Sequence, residues 1–139
     1  MRRPLFFALA AGLLAGLAAC PSSDPEPAPT PSQSARLSST ATVSILEPAN
    51  GAVIQGGDVR VRIALTGGRI VPQVSTNLNP DEGHIHLLLD GRVVQLLGSL
   101  DETIKAVATG QHLLQVEFVA ADHGPFSPRV LAAVSFTAA

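Results

Sequence analysis

The chain holds four histidines, and two of them, His84 and His86, are separated by one residue in the stretch Gly83-His84-Ile85-His86-Leu87-Leu88-Leu89-Asp90-Gly91. A β-strand repeats every second residue, so a strand here sets both imidazoles on one face, and Asp90-Gly91 closes it in a tight hairpin turn. A third histidine follows an acid in Ala121-Asp122-His123-Gly124. Imidazole suits zinc and copper(II), and same-face residues two apart on a strand can share one ion. His84, His86 and His123, with Asp122, are therefore candidate ligands for such a cation. The carboxylates of Asp81, Glu82 and Asp122 could be ligands themselves or could accept hydrogen bonds that orient the rings. A soft thioether site for copper(I) is excluded if Met1, the one methionine, is removed with a leader. The same residues also suit a role without metal, in which the rings bond the backbone of a neighbouring loop and the Asp122 carboxylate and lock one end of the fold.

Those side chains need strands to carry them, and the chain from Ala41 to Ala139, about 99 residues, is the usual size of one domain with one core. Thr42 to Leu46 and Ala52 to Ile54 flank the turn signal Glu47-Pro48-Ala49-Asn50-Gly51. Asp58 to Thr66 alternates, with Val59, Val61, Ile63 and Leu65 inward and Arg60 and Arg62 outward. A long irregular stretch, Gly67 to Gly83, delivers the chain into His84, and loops of that length are commonly functional. A hairpin about Asp90-Gly91, a short strand near Thr103 to Val107, a strand from His112 to Val119 and a last strand from Arg129 to Thr137 complete the set.

No segment carries a capped helical period. Short strands punctuated by Gly, Pro and Asn predict an all-β fold, an antiparallel immunoglobulin-like β-sandwich of about seven strands. Its core is aliphatic, with Phe118 and Phe136 as bulky members and Phe126 as a plug over one end. In that topology the strand starting at His84 and the strand starting at His112 are antiparallel neighbours. The start of the first and the end of the second then meet, bringing His84 and His86 to Asp122 and His123. His112 belongs to the opposite end, at the edge of the core.

Ahead of the domain, Met1-Arg2-Arg3-Pro4 leads into an apolar run that closes in Leu17-Ala18-Ala19-Cys20, the outline of a secretory signal peptide over residues 1–19. The closing tetrad resembles the lipobox of bacterial lipoproteins, which implies acylation of Cys20 and anchoring to a membrane that the chain does not cross. Residues 20–40, rich in Pro, Ser, Ala and Thr, read as a disordered extended tether, and residues 41–139 as the folded domain. With its one cysteine committed to lipid, the domain would have neither disulfide nor thiol chemistry in an extracytoplasmic compartment.

Composition removes several functions. Beyond Cys20 there are 11 acidic and 7 basic residues, a charge of about −4, with no basic patch for nucleic acid. The absence of Trp and Tyr removes the platforms on which bases stack. No Gly-x-Ser-x-Gly elbow and no glycine-rich phosphate loop occur. The pattern His-x-His-x-Asp-His fails because Leu88 stands where its acid belongs. The chain reads as non-enzymatic.

Glu47-Pro48-Ala49-Asn50-Gly51-Ala52-Val53 resembles the opening of bacterial immunoglobulin-like and copper-resistance sandwich domains. Gly110-Gln111-His112-Leu113-Leu114-Gln115-Val116 resembles the penultimate strand of extracytoplasmic immunoglobulin-like repeats. The Gly83 to Gly91 stretch, with Glu117 to Phe126, resembles a group of small exported bacterial domains that pair a Gly-His-x-His strand with a late Asp-His loop. These resemblances imply a sandwich fold and an extracytoplasmic location and carry no activity. Two readings stand: a lipid-anchored binding module holding zinc or copper(II), and a structural or interaction module of the cell envelope whose protein partner docks on a sheet edge or on the 67–83 loop.

Overall fold

The computed structural model describes residues 35–72 and 74–139, without the side chain of Leu97. The expected signal peptide, Cys20 and the expected tether through residue 34 lie outside the described residues. Nine strands make two sheets, with no helix among the described residues. They are β1 (Thr42–Glu47), β2 (Ala52–Ile54), β3 (Val59–Thr66), β4 (Arg69–Ile70), β5 (Glu82–Leu89), β6 (Arg92–Leu97), β7 (Asp101–Ile104), β8 (Gly110–Ala120) and β9 (Pro125–Ala138).

The smaller sheet runs β1-β3-β7 and the larger β2-β9-β8-β5-β4, with β6 also paired to β5. The immunoglobulin-like β-sandwich expected from the sequence is borne out. Its pairings are antiparallel except for the short β2 beside β9 and β4 beside β5, which run parallel. The strand expected near Thr103 to Val107 lies earlier, at Asp101–Ile104. Lys105 there turns to the Asp58 carboxylate at 2.7 Å and Ala106 takes a positive φ of 54°, which ends the extended run.

The core forms where the inward residues of both sheets meet. Val59, Val61 and Ile63 of β3 face Ile85 and Leu87 of β5 and Leu114, Val116 and Phe118 of β8, all buried. Phe126 stacks on Phe118 at 5.4 Å, so it fills the core as well as closing its end. Alternation then dictates the outer face of the larger sheet. His84 and His86 point there from β5, in register with Val119 and Glu117 of β8.

The residues before β1 are docked on the sandwich rather than free of it. Arg36 bonds the Pro125 carbonyl at 2.9 Å, the Ser127 amide donates to Leu37 O, and the Asp81 carboxylate accepts from the hydroxyl of Ser39 and the amides of Thr40 and Ala41. Those bonds hold the Asp81 carboxyl below its usual range, the Ser39 hydroxyl contributing most.

Candidate histidine site at the end of the larger sheet

Two local features bring the histidines together. At Gly83, β5 crosses so close to β8 that an added Cβ would lie 1.7 Å from the Val119 carbonyl oxygen, a position only glycine can occupy. This close crossing coincides with a bulge in β8 between Phe118 and Val119. Beyond it, β8 turns into β9 through Ala121 to Gly124. The Ala120 amide donates to Gly124 O, and His123, whose amide donates to Ala120 O, takes the left-handed conformation at φ 62°. Histidine tolerates that region better than most residues. The turn folds the His123 ring back over the face that carries His84 and His86.

The three rings form a stack with His123 between the others. Its centroid is 4.4 Å from that of His84, with planes 16° apart, and 5.3 Å from that of His86, with planes 24° apart. His86 Nε2 and His123 Nδ1 face each other at 3.0 Å, so one donates and the other accepts. His84 Nε2 donates to Ala121 O at 3.3 Å, and the same carbonyl accepts the Ser75 amide. This shared acceptor draws the loop over His84 and leaves that residue 8% exposed. Burial, followed by the neighbouring His123, pushes the His86 pKa down, opposed in part by Glu117. Its neutral form, the one with a free nitrogen lone pair, is favoured at neutral pH. A cleft of about 300 Å³ opens beside the stack between His84, His123, Val71, Pro72, Val74 and Leu96.

The carboxylates have other partners. Both Asp122 oxygens are taken by the Arg36 guanidinium, at 2.7 and 2.8 Å, and Oδ1 also accepts the Gly124 amide. Arg36, ahead of the amide contribution, holds the Asp122 carboxyl far below its usual range. Gly124 leaves room for the clamp, since an added Cβ would lie 2.2 Å from the Arg36 guanidinium and displace it from Asp122. Glu82 pairs with Arg69 and Asn79, away from the rings. Among the described residues, no group of three or more His, Cys, Asp or Glu side chains is placed to hold a metal ion. What the arrangement offers a cation is the pair His86 and His123. Two ligands of a tetrahedral ion at about 2.05 Å stand about 3.3 Å apart, close to the observed separation of those nitrogens.

His112 lies at the other end, as expected, its ring tilted against Phe136 at 5.4 Å. It has a bonding role that the sequence did not announce. Nδ1 lies 2.8 Å from Asp90 Oδ2 and Nε2 lies 2.8 Å from Ala108 O, so both nitrogens face acceptors. The second Asp90 oxygen accepts the Leu113 amide at 2.9 Å. Glu117 also escaped notice: it is buried on the outer face beside His86, with both oxygens on Arg129 at 2.7 and 2.5 Å. Its place in the alternation of β8, opposite His86, was the available signal.

No protein-family model matches the chain, and no curated protein does. Among solved structures, it is similar to the fibronectin(III)-like modules of Clostridium thermocellum CbhA, at 16% identity over 70% of this chain and 96% of that one, with a TM-score of 0.47. It is also similar to the PKD domain of human KIAA0319, at 14% identity over 80% of this chain and 91% of that one, with a TM-score of 0.45.

Proposed function

We propose that the chain is a non-enzymatic, extracytoplasmic binding module of the cell envelope, anchored through lipid on Cys20, with its binding end at the histidine stack. The ligand is a divalent cation, zinc or copper(II), held by His86 and His123. The approach of His86 Nε2 to His123 Nδ1 at 3.0 Å carries this reading, since loss of the proton they share leaves both nitrogens free to hold one ion. His84 is a third ligand only if its ring leaves Ala121 O, and Asp122 only if Arg36 releases it. A two-imidazole site completed by water follows. Anchoring rests on the lipobox resemblance at Leu17 to Cys20, with assignment to the Gly-His-x-His group resting on the Gly83 to Gly91 and Glu117 to Phe126 stretches. Neither reading gives the protein a nucleic-acid partner.

A second reading has its own support. The closed arrangement of Arg36 on Asp122 and His84 on Ala121 O favours a lock without an ion, in a module that spaces or binds proteins of the envelope. Elemental analysis and thermal melting with added zinc or copper(II) separate the two, using the wild-type chain and the His86→Ala/His123→Ala double variant. One ion per chain, lost in the double variant, with a melting temperature that rises with the ion as linkage requires, supports the metal site. No ion and no shift, with a less stable variant, leaves the lock. Membrane fractionation of Cys20→Ser tests the anchor, which predicts release of the variant.

A further inference from the structure

The free edge of the larger sheet is unusual. β6 hydrogen-bonds β5 on one side only, and no strand pairs with its other side among the described residues. Native edges are commonly blunted by charge, proline or shortness. Here β2 and β4 are three and two residues long, and β7 carries Asp101 and Glu102. β6 has six residues, Arg92-Val93-Val94-Gln95-Leu96-Leu97, with its one charge at the first position. Val93, Val94 and Leu96 are 52%, 46% and 58% exposed.

We propose that β6 pairs antiparallel with β6 of a second copy of this chain, making a two-fold dimer with one continuous sheet. Three observations select a second copy as the occupant. First, the strand is self-complementary about its centre. The irregularity beside Leu87 and Leu88 sets Val93 in register with Leu88 and Leu96 in register with His86, so both lie on the outer face. A two-fold axis between Val94 and Gln95 then sets Val93 of each copy against Leu96 of the other, an apolar pair repeated twice.

Second, the charges match. Arg92 is the one Lys or Arg among the described residues without an ion-pair partner. The Glu102 carboxylate accepts from Gln95 and Ser99 and meets no cation. Arg92 and Gln95 share the inner face, in register with Leu89 and Leu87. The two-fold register sets Arg92 opposite position 97 of the second copy, diagonal to Gln95 and within side-chain reach of the Glu102 bonded to it. Third, no like charges face one another anywhere along the paired strands. The pairing depends neither on lipid nor on metal.

The test is sedimentation of the full chain over a range of concentrations, beside Arg92→Glu, Glu102→Arg and the doubly exchanged chain. A concentration-dependent dimer is expected. Each single reversal should weaken association roughly tenfold or more by opposing like charges, and the double exchange should restore it. The double variant guards against misreading a folding defect in Glu102→Arg. A monomer at every concentration, a dimer indifferent to the exchanges, or an edge that accepts only a foreign apolar peptide would each overturn the proposal.

Discussion

The Asp90→Asn variant tests the charge state of His112. A neutral imidazole has one N–H, yet both ring nitrogens face acceptors at 2.8 Å, the Asp90 carboxylate and the Ala108 carbonyl. Only the imidazolium satisfies both. The Asp90 carboxylate, and after it the Ala108 carbonyl, accordingly raise the His112 pKa above its usual 6.5. The Leu113 amide, followed by His112, lowers the Asp90 carboxyl, so that group stays ionised through mild acid. A pKa raised in the folded state contributes stability that is fully present below the unfolded value near 6.5 and is lost as pH rises through the higher folded value.

Asparagine suits this position because it tolerates the positive φ of 52° and can still accept the Leu113 amide. Its amide can also donate to a neutral His112, so the variant removes the charge and keeps the turn. Half of the Asp90 side chain is exposed, and solvent limits the pair to about 1 kcal/mol. For a domain of this size that is about 4–8 °C in Tm. Melting followed by circular dichroism should place wild type above Asp90→Asn by that margin at pH 5.5, with the gap closing by pH 9. Histidines elsewhere cancel in the comparison. A gap that is constant across this range would refute the imidazolium.

Other expectations follow from single contacts. Gly83→Ala would drive Cβ into the Val119 carbonyl, so loss of at least about 3 kcal/mol is expected in a denaturant titration, with β5 and β8 losing amide protection together. Phe118→Ala removes a fully buried ring stacked on Phe126 and should cost about 3–5 kcal/mol by the same measurement. Arg36→Ala releases both Asp122 oxygens, and hydrogen exchange should quicken at Ser127, whose amide donates to Leu37 O, while β3 stays protected. In wild type the lowered Asp122 pKa keeps that clamp intact above the usual carboxylate range, and its contribution should vanish only as pH falls through the lower folded value.

The sequence made the strands legible because their signals are local. Alternation in Val59 to Leu65 marks β3, and Asp90-Gly91, both at positive φ, marks the hairpin between β5 and β6. Pairing β5 with β8 required only the order of strands in the sandwich, and with it came the meeting of His84 and His86 with His123. Placing Asp122 among candidate ligands relied on its position beside His123. Sequence proximity could not reveal that a guanidinium 86 residues earlier takes both oxygens. Arg36 was hidden because it sits in a stretch whose composition reads as tether, and its role arises only from the docking of that stretch against the β8–β9 turn.

Fold and chemistry separate at the histidine end for the same physical cause. An acid's availability to a metal depends on what else reaches it, and the guanidinium here is bidentate and partly buried, on a carboxylate that also accepts the Gly124 amide. Replacing Asp122 as a ligand with solvent lowers the affinity expected of the site, since two neutral imidazoles bring no charge to offset that of the ion. Releasing Asp122 would leave one uncompensated negative charge beside His123 at the cost of the clamp on the N-terminal strap. Arg36→Ala should therefore tighten zinc or copper(II) binding if the histidine pair is a metal site. A chain that binds no ion in either form would leave the stack as a mechanical fastening between β5, the β8–β9 turn and the loop over His84.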